Sequence, residues 1–192
     1  MALRAEAAHA NGERILAVAQ ELFAERLYDQ VSLEDVAGRA EVAVRTVIRR
    51  FTSKELLFAA VAESRASKIR GERDKVAEGD VPGAIRRLLS TYETWGDEVL
   101  HLLAQERRTS TIAMGVQAGR EYHRASVERV FSPLLEGAEP IMRDRRLAQL
   151  VMVTDVYAWK VLRRDLGLGR GDVEASLLEL VGEIIGKPDE SL

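Results

Sequence analysis

The chain has 192 residues and not one cysteine. Disulfides, thiolate nucleophiles and Cys-ligated zinc are therefore excluded outright. Proline is nearly as scarce, at four residues, and aromatic residues make up only 5% of the chain. With few helix breakers and close to half the residues apolar, the composition predicts a globular, all-helical protein. Long hydrophobic runs are missing too. The longest, from Leu147 to Leu162, is interrupted by Asp155 and Lys160 and falls short of the ~20 residues a bilayer requires. The first residues, Met1-Ala-Leu-Arg-Ala-Glu6, lack the apolar centre of a secretory signal. A cytoplasmic protein with no membrane association is expected. A strong positive balance is also absent: the net charge of −3 excludes a basic coat protein for nucleic acid but not a local DNA-binding surface. No Gly-x-Ser-x-Gly, His-Glu-x-x-His or P-loop pattern occurs.

What the chain does hold is a basic focus. Residues 1–54 carry eight Lys/Arg and eight Asp/Glu, yet from Val42 to Lys54 there are four basic residues and no acid. Within this run, Val44, Val47, Ile48 and Phe51 share one side at helical spacing, while Arg45, Thr46, Arg49 and Arg50 point elsewhere. Most Arg-rich helices are simply solvated faces, so the flanking sequence decides. A first helix is predicted at about 11–27 with the stripe Ile15, Ala19, Leu22 and Phe23, preceded by a tail at residues 1–10. Tyr28-Asp-Gln-Val31 breaks the period. Ser32 and Asp35 then form a capping box ahead of Leu33, Val36, Ala37 and Ala40. Glu41-Val-Ala43 leads as a short turn into the Arg-bearing helix. Two short helices joined tightly behind a longer one make a helix-turn-helix whose second helix reads DNA.

Arg14-Ile-Leu-x-x-Ala-x-x-Leu-Phe23, Leu33-x-x-Val-Ala37, Ala40-x-Val42, Thr46-Val47 and Phe51-x-Ser-Lys-Glu-Leu56 together resemble the DNA-binding domain of TetR-type (tetracycline-repressor family) regulators. The likeness covers about residues 11–62. The sequence departs from the family pattern at Leu27, Glu41 and Arg45, where glycine is usual. It departs again at Ala43, which lacks the capping hydroxyl of a serine, and at Ile48, which replaces a tyrosine. The resemblance implies an all-α chain with a three-helix helix-turn-helix DNA-binding domain at residues 1–54. A larger helical ligand-binding and dimerisation domain would follow at residues 55–192. Val44 and Arg45 are suited to a thymine methyl and a guanine edge, and Arg49 to a base or a phosphate. By analogy Thr46, Arg50 and Lys54 hold phosphates.

The remaining helices are predicted from their stripes. A fourth spans about 55–77, and Gly79-Asp-Val-Pro82 breaks the chain. Ile85, Leu88, Leu89, Tyr92 and Trp95 mark a fifth, which Gly96 separates from a sixth carrying Val99, Leu102 and Leu103. A seventh shows Ile112, Val116 and Val127, an eighth at about 141–166 is apolar nearly all round, and a ninth spans about 172–186. In the family the last two helices build a homodimer, which implies a palindromic operator on double-stranded DNA. The family also implies a mostly apolar small-molecule effector. Candidate lining residues are Tyr92, Trp95, Met114, Tyr122, His123, Asp155 and Trp159, although plain core packing is the commoner role for such side chains. The expected function is a dimeric, ligand-modulated repressor. An effector-independent DNA-binding dimer is the alternative, followed by a metal-dependent helical enzyme. The pairs Glu6…His9 and Glu98…His101 have the spacing of di-iron bundles but lack paired inward glutamates. No metal, no cofactor and no catalytic residue is expected.

Overall fold

A computed structural model describes residues 2–186, with side chains from His9 onward. The described residues form helices and the turns that join them: α1 (Ala2–Glu25), a 3-10 turn (Tyr28–Gln30), α2 (Leu33–Arg39), α3 (Val44–Phe51), α4 (Lys54–Arg73), α5 (Val81–Leu103), α6 (Ser110–Phe131), α7 (Pro140–Val153), α8 (Val156–Lys160) and α9 (Arg170–Gly186). None is long and apolar enough to cross a membrane. The chain divides into two compact units, one of Met1–Ser67 with His101–Val116 and the other of Lys68–Leu100 with Gln117–Leu192. A segment distant in sequence, His101–Val116, thus returns to the first unit.

In the first unit, α1 begins well before Asn11. The segment expected as a tail, Ala2 to Ala10, is rich in alanine and contains no glycine or proline, so nothing in it interrupts a helix. Ile15, Ala19 and Leu22 of α1 meet Val36, Val47 and Leu57 in one buried cluster. Ser32 caps α2 as anticipated: its Oγ accepts from Asp35 N at 3.0 Å, and the Asp35 carboxylate accepts from Ser32 N at 2.9 Å. The returning segment is tied in by polar contacts, with Tyr28 N donating to Gln105 Oε1 at 2.8 Å and Arg108 pairing with Asp29 at 2.8 Å.

The second unit corrects two helix boundaries. Gly96 does not separate helices; it lies buried inside a continuous α5. A Cβ there would come within 2.5 Å of the Trp159 ring, so the glycine permits a close approach. The expected eighth helix is broken in two. Thr154 donates its hydroxyl back to Leu150 O at 2.6 Å, and Asp155 takes an extended conformation and caps α8 by accepting from Tyr157 N at 2.9 Å. After α8 the chain widens into a π-turn at Val161–Asp165. It is closed by Leu166 N donating to Val161 O at 2.9 Å and by Gly167 at φ 69°. Trp159 is fully buried and donates to Glu93, which also accepts from Arg163.

Candidate nucleic-acid interface

The Arg-bearing helix is α3, and its anchor follows from its pattern. Val47 is fully buried, with Val44 and Phe51 packed beside it against the core of the first unit. Ile48 departs from that reading: it is 47% exposed. The helix is only eight residues long, and Val47 is its one fully buried side chain, with Val44 and Phe51 beside it, which leaves Ile48 on the flank. The turn before α3 is made by Val42 N donating to Ala37 O at 3.0 Å, with Glu41 at φ 54°. Ala43 precedes the helix without any side-chain cap, so the first amides of α3 keep their donors for solvent or an anion.

Charge distribution separates α3 from the rest of the unit. Arg14 donates to Asn11, Arg39 pairs with Glu25, Arg26 with Asp35, and Arg108 with Asp29. Arg45 and Arg49 are exposed, and among the described residues neither has a hydrogen-bonding or ion-pairing partner. They lie four residues apart, so their Cα atoms are about 6 Å apart along the axis on neighbouring positions of one face. Arg50 is exposed as well, its guanidinium running beside Gly12 of α1, where a Cβ would meet Nε at 3.3 Å. Thr46 is half-buried.

Lys54 is placed differently. Its Nζ donates to Tyr28 O at 3.1 Å and sits 4.3 Å from the centre of the Tyr28 ring. That contact ties the start of α4 to the turn after α1. Tyr28, which sequence reading treated only as a period break, is the hub here. Its ring meets Phe23 and Phe58, and its hydroxyl donates to Glu55 Oε1 at 3.2 Å. Burial, reinforced by the Glu55 charge, pushes the phenol up to about 12. An aromatic residue directly after a helix was the available signal.

Residues 15–61 match the model for bacterial regulatory proteins of the tetR family. The matched residues run from α1 through the two short helices α2 and α3 into α4. No curated protein matches the sequence. Among solved structures, a transcriptional regulator from Rhodococcus sp. Rha1 superposes with a TM-score of 0.71 at 21% identity, covering 94% of this chain and 99% of that one. A tetR-family transcriptional regulator from Streptomyces coelicolor gives a TM-score of 0.70 at 17% identity over 92% and 80% of the two chains. A TerR/AcrR-family regulator from Aquifex aeolicus VF5 gives 0.63 at 20% identity over 91% and 99%. These likenesses establish a shared fold that extends past the matched residues through the helical remainder. Both the matched family and these neighbours are regulators rather than enzymes.

The residues predicted to line an effector pocket are not all gathered. Met114 belongs to the same unit as the tetR-family domain and is 65% exposed. The other six lie in the second unit. Tyr92 stacks obliquely on Trp159 and donates to Thr154 O at 3.0 Å, and burial raises its phenol pKa. Tyr122 donates to Asp74 at 2.9 Å. His123 donates from Nε2 to Val151 O at 3.2 Å and presents Nδ1 to Arg73 at 3.3 Å. Burial, with the Arg73 charge, lowers its pKa and keeps it neutral. Trp95 is half-buried, and Asp155 is occupied as the cap of α8. A cavity of about 20 Å³ lies among Arg73, Ile85, Leu88, Val127, Phe131 and Thr154. That is room for about one water molecule. None of the seven predicted residues lines it, although Arg73 and Thr154 connect it to His123 and Tyr92. Among the described residues no group of three or more His, Asp or Glu is placed to hold a metal; the Glu6 side chain lies outside them.

Proposed function

We propose that the chain is a homodimeric transcriptional repressor that binds a palindromic operator in double-stranded DNA and is modulated by a mostly apolar small molecule. One observation carries this reading: α3 of a tetR-family domain exposes Arg45 and Arg49 without an internal acid to neutralise them. Such a helix fits a major groove, where Arg45 reads a guanine edge and Arg49 a base or phosphate. Val44 and Thr46 flank that contact, and Arg50 and Lys54 add positive charge toward the backbone. Lys54 must first exchange its Tyr28 contact for a phosphate. Dimerisation is supported by exposed apolar side chains near the end of the chain: Met152 on α7, Tyr157 on α8, Val161 just beyond it, and Leu180 on α9. Two copies double the bases read and impose two-fold symmetry on the site. A cytoplasmic location follows from a chromosomal target.

The effector acts by population shift: a ligand that prefers the conformation unable to bind DNA lowers occupancy of the operator, and one with equal affinity for both states does nothing. The cavity beside His123 and Tyr92, with about 20 Å³ free, favours a second reading in which the dimer needs no effector. Selection from random duplexes tests the main claim. Enrichment of a palindrome with half-sites roughly 34–36 Å apart is expected, and enrichment of no duplex at low salt overturns it. Repeating the selected binding in the presence of a panel of apolar compounds separates the two versions.

A further inference from the structure

The exposed face of α3 is not purely basic. Arg45, Ile48 and Arg49 follow the i, i+3, i+4 spacing of one helical stripe, and all three are exposed. Ile48 is therefore an apolar side chain, 47% exposed, that shares this stripe with two arginines that have no partners among the described residues. Whatever covers this stripe must accept two positive charges and one branched hydrocarbon within about one and a half helical turns. An apolar protein surface would strand the arginines. An acidic surface would leave Ile48 against charge.

A major groove meets both demands. Guanine O6 and N7 and the phosphates accept from arginine, and the groove floor carries a single apolar group, the 5-methyl of thymine. We propose that Ile48 reads a thymine methyl beside the base read by Arg45, so that it determines sequence preference. The assignment rests on the DNA-binding reading above and names one base of its target. Over any other base, Ile48 would cover a polar edge and leave it unsatisfied, which turns the contact into discrimination. Isoleucine is stiff at its first torsion, so it presents its methyls with little ordering. It lies about 4.5 Å along the helix from Arg45, against about 3.4 Å per base step, which places the thymine within about two base pairs of that guanine.

Uracil lacks only the 5-methyl and pairs as thymine does, so it tests the claim on the full-length wild-type protein. Each thymine of the selected operator is replaced in turn by deoxyuridine, and affinity is measured at fixed salt for wild type and Ile48→Ala. One thymine per half-site, within two base pairs of the guanine that Arg45→Ala ceases to distinguish, should show about fourfold weaker binding as uracil, the effect of burying one carbon. In Ile48→Ala that thymine-to-uracil ratio should fall to about one, while the salt slope, set by phosphate contacts, stays unchanged. No uracil-sensitive position in the wild type overturns the assignment even where the operator binds tightly. Sensitivity that persists in Ile48→Ala overturns it as well and transfers the methyl contact to Val44 or Thr46. If no duplex is bound at all, the DNA-binding reading fails and takes this assignment with it. A thermal melt of Ile48→Ala, a surface truncation, checks that the variant is folded.

Discussion

Thr52 stands between α3 and α4 at φ 66° and ψ −50°, with Ser53 N donating to Phe51 O at 2.7 Å across it. This is a three-residue turn of the strained, positive-φ kind, and a β-branched residue is ill suited to it. Thr52→Gly should stabilise the protein by about 1 kcal/mol in thermal denaturation, the relieved strain exceeding the greater freedom of the unfolded chain. Arg45→Ala should weaken operator binding by about 1–3 kcal/mol, concentrated at one base pair, as read from a set of single-base operator variants. His123 is held neutral, with a pKa below its ordinary value because of burial and the facing Arg73. Its contribution to stability is complete above the unfolded value of about 6.5 and is lost as the pH falls toward and through the folded value. The melting temperature should drop between about pH 7.5 and pH 5.5, and His123→Gln should show a shallower drop, though from a lower start. At this scale the sequence was most informative where chemistry is local. The Ser32–Asp35 cap and the short turn from Glu41 to Ala43 were legible because each involves only near neighbours. Asp155 was not, because an acid in an apolar run reads equally as a buried charge or as a helix cap until the break at Thr154 is seen.

Among the elements, α5 shows why a glycine is ambiguous. The stripe through Tyr92 and Trp95 continues past Gly96 to Val99 without losing period, yet glycine signals a break from sequence alone. Only the Trp159 ring, packed where a Cβ would stand, gives the residue its reason. Gly96→Ala should therefore destabilise the fold by ~1–3 kcal/mol through overpacking, measured by denaturant unfolding, rather than gain the usual helix propensity. The start of α1 failed in the opposite direction. A polar, alanine-rich segment has no stripe to announce it, but it also has nothing that stops a helix. The helix-turn-helix was legible except for the exposure of Ile48, since capping, turn and most anchor residues fall within about thirty positions of one another.

For the molecule as a whole, the return of His101–Val116 to the first unit was hidden from sequence. The contacts that bring it there, such as Tyr28 with Gln105, span 77 positions. Self-association belongs to this scale too. Val161→Glu and Leu180→Glu each place a charge on an exposed apolar position, and in the proposed two-fold dimer each would appear twice. Dimer dissociation measured by sedimentation should become at least roughly tenfold easier for either variant, with the melting temperature little changed.

The second unit keeps space for hardly more than a water molecule among Arg73, Phe131 and Thr154. A drug-sized compound cannot diffuse straight into such a site; it has to wait for the helices to breathe apart. Mixed rapidly with rising amounts of an effector that seats there, the protein should respond faster only up to a plateau, and that ceiling measures how often the cavity opens unaided.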